Sequence, residues 1–274
     1  MEFVLRQGTI LRSSGPDAPA SRPGEGITAR EAFWFANGNI PFFGAHLQRL
    51  GELLAFFGHP WPPELPPDHE ILRLFLRLVN KNKAFMGGWV RASFHFSHHT
   101  SHYSADVVPH PERNFPMEQE GRPASVSPFI KYSMDPLARF PLSSEPLLNA
   151  EHFRMDEAIK GIAVFLNEKR MVTEASGGAL FCISKNNLIT PAPATGAIRI
   201  IYTDHLLRAA SLSGFQVTET DRLTLPDVMN CEEVFTVSEE EGFRWITGID
   251  DKRFVKTKTS LIWKQFNRTA FPAP

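Results

Sequence analysis

Hydrophobic positions along the first hundred residues change from a period of two to a period of three or four, and then back. Alternation around Gln7-Gly8 and before Asn37-Gly38 is typical of strands joined by tight turns. From Ala45 to Phe57 the leucines recur three and four residues apart, which predicts an amphipathic helix that Gly58 ends. The elements predicted here are a hairpin over 1–12, strands over 27–37 and 40–43, helices over 45–57 and around 71–78, and a strand over 88–96.

Residues 107–123 interrupt this pattern with four prolines, several charges and few large apolar side chains. We therefore predict a linker over 109–123 between an N-terminal domain, 1–108, and a C-terminal domain, 124–274. The elements predicted beyond it are strands over 125–132, 162–167, 171–174, 180–184, 188–190, 216–220, 233–238 and 244–249, and helices over 147–160, 203–213 and 259–266. This mixture predicts an α+β fold.

Composition limits the classes of partner. Hydrophobic residues make up 42% of the chain and charged residues 22%, and the net charge of −1 gives no reason to expect nucleic acid or an anionic membrane as partner. No apolar run approaches the roughly 20 residues that span a bilayer, and the N-terminus lacks the pattern of a secretory signal. A cytoplasmic location is the expectation. Cys182 and Cys231 by themselves form neither a disulfide framework nor a metal site.

Four stretches of the chain, in order, match the motifs of a known family. They are Gly24–Ile27 with Asn37–Phe43 and the His46-Leu47-Gln48-Arg49-Leu50 run; Ala163–Asn167 with Met171-Val172-Thr173-Glu174-Ala175-Ser176; Leu188–Pro191 with Gly196–Leu207; and Leu225–Ser238. They resemble the motifs of the fold-type IV enzymes that use pyridoxal 5′-phosphate (PLP). This group holds branched-chain and D-amino-acid aminotransferases and aminodeoxychorismate lyase.

The resemblance implies a two-domain fold with mixed sheets and flanking helices, a homodimer, and PLP as cofactor. Arg49 matches the arginine that holds the cofactor phosphate, and a planar guanidinium suits that task. Glu174 matches the glutamate that pairs with the pyridine nitrogen and so keeps the ring an electron sink. The residues matched to the remaining phosphate contacts are Ile201 and Tyr202 through backbone amides, Ser238 through its hydroxyl and, as a weaker match, Thr236.

The chain departs from the family where the cofactor-binding lysine should stand. Alignment places that lysine within Phe140–Leu148, at Leu142 by counting or at Pro146 by matching the neighbouring serines and asparagine. Neither residue can form an imine with PLP. Ile200 replaces the glycine that permits close approach to the phosphate. Thr203 stands where the family has an arginine.

Lys131 is the one lysine near enough to this segment to replace the missing one. The alternative interpretation is an exposed lysine on a strand. If Lys131 cannot act, PLP binds without a covalent link or is absent.

The residues His95, His98, His99 and His102 fall within a short stretch. Imidazoles at this spacing can bind Zn²⁺ or Ni²⁺, but no nearby cysteine completes a ligand set. We therefore predict no metal site and interpret the cluster as a polar loop. A metal-dependent hydrolase or sensor is the alternative.

Three functions remain open at this stage. The first is a family member with a degenerate PLP site, weakly active or inactive as a transaminase. The second is an active PLP-dependent aminotransferase or lyase that uses Lys131, and the third is a protein that binds a small anion or phosphate ligand without catalysis. The expected partner in each case is a small amino acid or anionic ligand.

Overall fold

The computed structural model describes residues 3–12, 26–97, 100–154 and 161–271. Contacts between residues divide the chain into two units, of which the first ends at Phe115 and the second begins at Pro116. This boundary falls within the segment 109–123 that the sequence pattern marks as a linker. The domain limits drawn from that pattern stay a prediction.

The first unit contains an antiparallel sheet with the strand order β2-β1-β5-β4-β3. Its described strands are β1 (Phe3–Arg6), β2 (Thr9–Arg12), β3 (Ile27–Ala36), β4 (Gly87–Phe96) and β5 (Ser101–His110). Its described helices are α1 (Phe43–Phe56) and α2 (Asp68–Lys81). The buried side chains of α2 are Ile71, Leu74, Phe75, Leu78 and Val79, which is the face that the three-to-four-residue period predicts.

One prediction for this unit was wrong, and one strand was not predicted. Residues 40–43 do not form a strand: after the Asn37-Gly38 turn, where both residues have positive φ, only one bridge joins Ala36 to Asn39 before α1 begins at Phe43. A short apolar run does not by itself distinguish a strand from the approach to a helix. β5 was missed because its inward positions, Ser101, Tyr103 and Ala105, are mostly small or polar.

The second unit contains a mixed sheet with the order β11-β10-β9-β12-β13-β6-β7-β8, and β14 pairs with β13. Its described strands are β6 (Arg122–Ile130), β7 (Ile162–Leu166), β8 (Val172–Ala175), β9 (Ala179–Ser184), β10 (Asn187–Pro191), β11 (Gln216–Thr220), β12 (Glu233–Ser238), β13 (Gly242–Ile249) and β14 (Lys252–Arg253). Its described helices are α3 (Glu145–Arg154), α4 (Thr203–Leu212), α5 (Leu225–Met229) and α6 (Lys258–Ala270). Pairing is parallel in β10–β11, β13–β6 and β6–β7 and antiparallel elsewhere.

The core of the second unit contains aliphatic side chains from neighbouring strands, such as Val164, Leu180, Val234 and Ile246, all within 1% of full burial. Aromatic rings also stack across β9, β12 and β13. The ring centroids of Phe181 and Phe235 are 5.3 Å apart, and those of Phe235 and Phe243 are 5.8 Å apart. Such offset ring pairs stabilise the sheet beyond the area they bury. The antiparallel sheet of the first unit and the mixed sheet of the second, each accompanied by helices, confirm the predicted α+β class. None of the helices in the described ranges has the length and apolar character needed to cross a bilayer.

The N-terminus of α6 is held by a buried carboxylate from β12. Glu233 is 1% exposed. Its Oε1 accepts hydrogen bonds from the backbone amides of Thr257 and Lys258 at 2.8 and 2.7 Å. Its Oε2 accepts from the amide and hydroxyl of Thr259 at 2.8 and 2.7 Å. The first amides of a helix have no partner within the helix, so this carboxylate satisfies them and complements the helix dipole.

We expect Glu233→Gln to lower the free energy of unfolding by about 2 kcal/mol. The amide retains one acceptor oxygen and presents an NH₂ group to donors, which leaves buried N–H groups unsatisfied. Urea unfolding followed by circular dichroism measures the change. Glu232→Gln is the matched control, because Glu232 is exposed and pairs with Lys258 at the surface, and it should change stability little. Equal effects of the two substitutions would contradict the capping role of Glu233.

Candidate functional site

Glu174 lies at the centre of a buried polar cluster in the second unit. It belongs to β8 and is 2% exposed. Its Oε1 accepts a hydrogen bond from Ser144 Oγ at 2.6 Å, and its Oε2 accepts from Lys131 Nζ at 2.5 Å and from the backbone amide of Ile198 at 2.8 Å. Both carboxylate oxygens therefore have donors from within the chain, one of them a cation.

Lys131 lies one residue beyond the end of β6, and its side chain is buried beside Glu174. It is 2% exposed, so the alternative of an exposed strand lysine was wrong. Its Nζ also donates to Ser144 Oγ at 2.9 Å, which closes a triangle of hydrogen bonds among the three side chains. The backbone amide of Lys131 donates to the carbonyl of Leu166 at 3.1 Å. β7 therefore fixes where the lysine leaves the sheet.

Local features of the sequence bring the loop before α4 against this lysine. Gly196 has a φ of +89°, and a Cβ at that position would lie 2.9 Å from the carbonyl oxygen of Tyr132. A glycine is required for so close an approach in this conformation. Asn167 holds the same loop, since its Nδ2 donates to the carbonyl of Thr195 at 3.1 Å. The asparagine and glycine of two separate motifs thus position Ile198 over Glu174.

The predicted lysine positions flank Ser144. Leu142 lies in a 3-10 turn over Pro141–Ser143, and Pro146 lies in the first turn of α3. Helix α3 is tied to β6 by the buried carboxylate of Glu151, which accepts from Ser127 and from Arg154. The segment where the family lysine should stand therefore contributes a hydroxyl group to the cluster, and the amine comes from the end of β6.

A second polar contact lies at the N-terminus of α4. The amide of Ile201 donates to Glu239 Oε1 at 2.6 Å, and Glu239, which follows β12, is 8% exposed. The hydroxyl of Ser238 accepts from the amide of Glu241 at 3.1 Å. Tyr202 is fully buried, with its ring against Phe266 and Phe271. The predicted phosphate-contacting residues Ile201 and Ser238 thus adjoin a carboxylate, and their role stays a prediction.

Two buried hydroxyls lie near these contacts. Thr203 is the first residue of α4 and is 5% exposed, and Thr236 on β12 is fully buried. Neither hydroxyl has a hydrogen-bond partner among the described residues. A Cβ at Gly177 would lie 2.5 Å from Thr236 Oγ1, so a residue larger than glycine there would displace that hydroxyl. Buried polar groups without partners are uncommon in folded proteins.

Arg49 belongs to the first unit, where it pairs with a buried carboxylate. Its Nε donates to Glu31 Oε1 at 3.0 Å, and its Nη2 contacts Glu31 Oε2. His46 lies one turn earlier on α1, and its Nδ1 is 2.6 Å from the same Oε2. Residues three apart on a helix share a face, which places both side chains against β3. The predicted contact between Arg49 and a phosphate stays a prediction.

The histidine cluster is partly described. His98 and His99 lie outside the described residues. His95 and His102 face each other across β4 and β5, with ring centroids 4.7 Å apart, and His95 Nδ1 lies 3.0 Å from Thr28 Oγ1. Burial, together with the neighbouring His95, lowers the pKa of His102. Within the described ranges, no three histidine, cysteine or acidic side chains converge as a metal site would require.

Sequence reasoning missed Ser144 and Glu239. Ser144 served only as an alignment landmark, although a serine inside the segment lacking the lysine was a signal for a substituted polar contact. Glu239 directly follows the predicted Ser238, and a carboxylate beside an expected anion site conflicts with that site in charge. Only the folded structure shows that this carboxylate accepts a bond from the Ile201 amide.

Several solved structures share this fold over nearly the whole chain. A hypothetical aminotransferase from Mycobacterium tuberculosis superposes with a TM-score of 0.80 at 17% identity, covering 98% of this chain and 99% of that one. The branched-chain amino acid aminotransferase of Escherichia coli gives 0.79 at 15% identity, covering 98% and 94%. A Legionella pneumophila structure described as a 4-amino-4-deoxychorismate lyase gives 0.71 at 17% identity, covering 91% and 95%. At these identities the likeness establishes the fold alone.

Sequence comparison supplies the family. No curated protein sequence matches the chain. The model of the family described as Amino-transferase class IV matches residues 28–248, which is most of the chain. The match includes the last three of the four motif stretches, and it includes the first stretch except for Gly24–Ile27. This chain therefore belongs to the class IV aminotransferase family, whose members include aminodeoxychorismate lyase-like proteins.

Proposed function

We propose that this chain is a class IV aminotransferase-family protein that has lost catalysis through lysine-linked PLP. The observation that carries the proposal is the 2.5 Å contact between Lys131 Nζ and Glu174 Oε2. By resemblance, Glu174 faces the pyridine nitrogen of the cofactor. In this chain a lysine ammonium takes that position.

The geometry of PLP supports the loss of the lysine-linked cofactor. The aldehyde carbon of PLP lies across the ring from the pyridine nitrogen. A lysine that forms the imine must therefore reach the end of the ring far from the glutamate, whereas Lys131 touches the glutamate itself. The ring nitrogen and the ammonium would also compete for Oε2, which already accepts from Ile198. The residues of this cluster do not fit PLP in the orientation used by the family.

The hydrogen bonds of Lys131 support the same conclusion. Its Nζ donates to Glu174 Oε2 at 2.5 Å and to Ser144 Oγ at 2.9 Å. An amine that attacks an aldehyde must direct its lone pair at the carbonyl carbon. Lys131 would have to leave both partners to do so, which would take the cation away from a buried carboxylate.

A second candidate is an active enzyme in which Lys131 leaves Glu174 and binds PLP. The burial of Lys131 within the same cluster as Glu174 favours it. The M. tuberculosis protein of the same fold has been solved with a pyridoxamine phosphate and α-ketoglutarate bound. Under this candidate the ligand would be PLP with a small amino acid. A homodimer is expected under either candidate.

We expect no lysine adduct when the purified protein is mixed with PLP, reduced with borohydride and digested for mass spectrometry. The visible spectrum before reduction should be that of free PLP. Surface lysines react weakly, so Lys131→Arg, which keeps a cation beside Glu174 and forms no imine, serves as the matched background, and the E. coli branched-chain aminotransferase serves as positive control. A stoichiometric adduct on the Lys131 peptide, absent from Lys131→Arg, would overturn the proposal and favour the second candidate.

We expect Lys131→Met to lower the free energy of unfolding by roughly 3 to 5 kcal/mol, because it leaves a buried carboxylate without its cation. Lys131→Met with Glu174→Met should recover most of that loss, since the pair is removed together. Lys169→Met, at an exposed lysine of the same unit, controls for loss of a positive charge and should change little. Glu174→Met alone completes the cycle. If the losses in unfolding free energy of the two single variants add up to the loss of the double variant, Lys131 and Glu174 are not coupled.

A further inference from the structure

The contacts of Glu174 and Ile201 share one short segment of chain. The amide of Ile198 donates to Glu174 Oε2, and the amide of Ile201 donates to Glu239 Oε1. Three residues cannot span more than about 11 Å even when extended. The ammonium group of Lys131, bonded to Glu174, and the carboxylate of Glu239, bonded to the Ile201 amide, therefore lie at two ends of one small region within the second unit.

The signs of these two charges follow from the surrounding groups. Glu174 is a buried carboxylate, so it needs a cation, and Lys131 supplies one. Ile201 lies two residues before the first residue of α4, where the positive end of the helix dipole favours an anion. Glu239 supplies that anion although 92% of its surface is buried. Burying a carboxylate is unfavourable unless such donors satisfy it.

The hydroxyl of Thr203 is a separate sign that this helix end suits an acceptor-rich group. It lies in the first turn of α4, more than nine-tenths buried, without a hydrogen-bond partner among the residues that the structure describes. A phosphate offers acceptor oxygens in several directions, whereas the Glu239 carboxylate is fixed by its own chain. The helix end therefore retains a donor that the internal anion does not use.

We infer that Lys131 and Glu239 together replace the two ends of a PLP molecule, the ammonium in place of the ring N–H and the carboxylate in place of the phosphate. The ammonium and the carboxylate have the same signs as the ring N–H and the phosphate that they replace. This inference rests on the proposed loss of lysine-linked PLP and adds that the phosphate end is closed by a side chain of the protein. Removing the carboxylate should uncover an anion site at the α4 N-terminus.

The test measures binding of inorganic phosphate to the full chain by calorimetry and by the shift of the thermal unfolding midpoint. We expect Glu239→Ser to bind phosphate at least about tenfold more tightly than the parent, because a repelling carboxylate is exchanged for a small hydroxyl beside the Ile201 amide and the positive end of the α4 dipole. Glu240→Ser is the matched control at the adjacent, exposed glutamate, and it should bind as the parent does. When phosphate is added, the NMR resonance of the Ile201 amide should shift in Glu239→Ser and stay unchanged in the parent and in Glu240→Ser.

Glu239→Gln protects the test against a folding failure of the serine variant. It keeps an acceptor for the Ile201 amide and removes the charge, so it should fold and still gain phosphate affinity over the parent. The inference is overturned if either folded variant gains no affinity, or if Glu240→Ser gains as much phosphate affinity as Glu239→Ser. That result would leave the absence of a lysine adduct untouched, so it is distinguishable from failure of the proposed function.

Discussion

A carboxylate in a protein interior needs donors and a compensating charge, and Glu174 imposes this requirement on the centre of the second unit. Three separate parts of the chain meet it: the end of β6 through Lys131, the turn before α3 through Ser144, and the loop before α4 through Ile198. Each contact joins a segment outside the regular strands to β8, the strand that carries Glu174. The cluster therefore organises the irregular connections of the unit, while the sheet beneath it depends on apolar packing.

The same physical rule operates at the two long helices that pack together in this unit. Helix ends leave amides without partners, and both α4 and α6 receive a buried carboxylate from the region of β12. Glu233 begins that strand and Glu239 follows it, so one strand supplies an acceptor at each end. At α6 four donors surround the carboxylate, which is a complete cap. At α4 the hydroxyl of Thr203 has no hydrogen-bond partner among the described residues, so the two helix ends differ in how completely their donors are satisfied.

A fold and a cofactor site are encoded in different ways along a chain. Solved structures at 15 to 17% identity superpose over nearly the whole chain. A core tolerates many exchanges that keep volume and apolar pattern. A cofactor site depends on a few side chains of fixed chemistry, so the loss of a lysine that we propose would change the site without disturbing the sheet. Fold and family membership therefore say less about chemistry here than one ion pair does.

The sequence by itself determined the α+β class, most strands and helices, the family motifs and the absence of a lysine from Phe140–Leu148. These features are local: periodicity marks which face of an element is buried, and motifs keep their order along the chain. The sequence did not determine that Lys131 is buried on Glu174 across 43 residues, that Ser144 joins them, or that Glu239 meets the Ile201 amide. Those contacts join residues that are distant in sequence. Only the tertiary structure decided them, because parallel pairing of β6 with β7 and the close approach at Gly196 set which side chains share the interior.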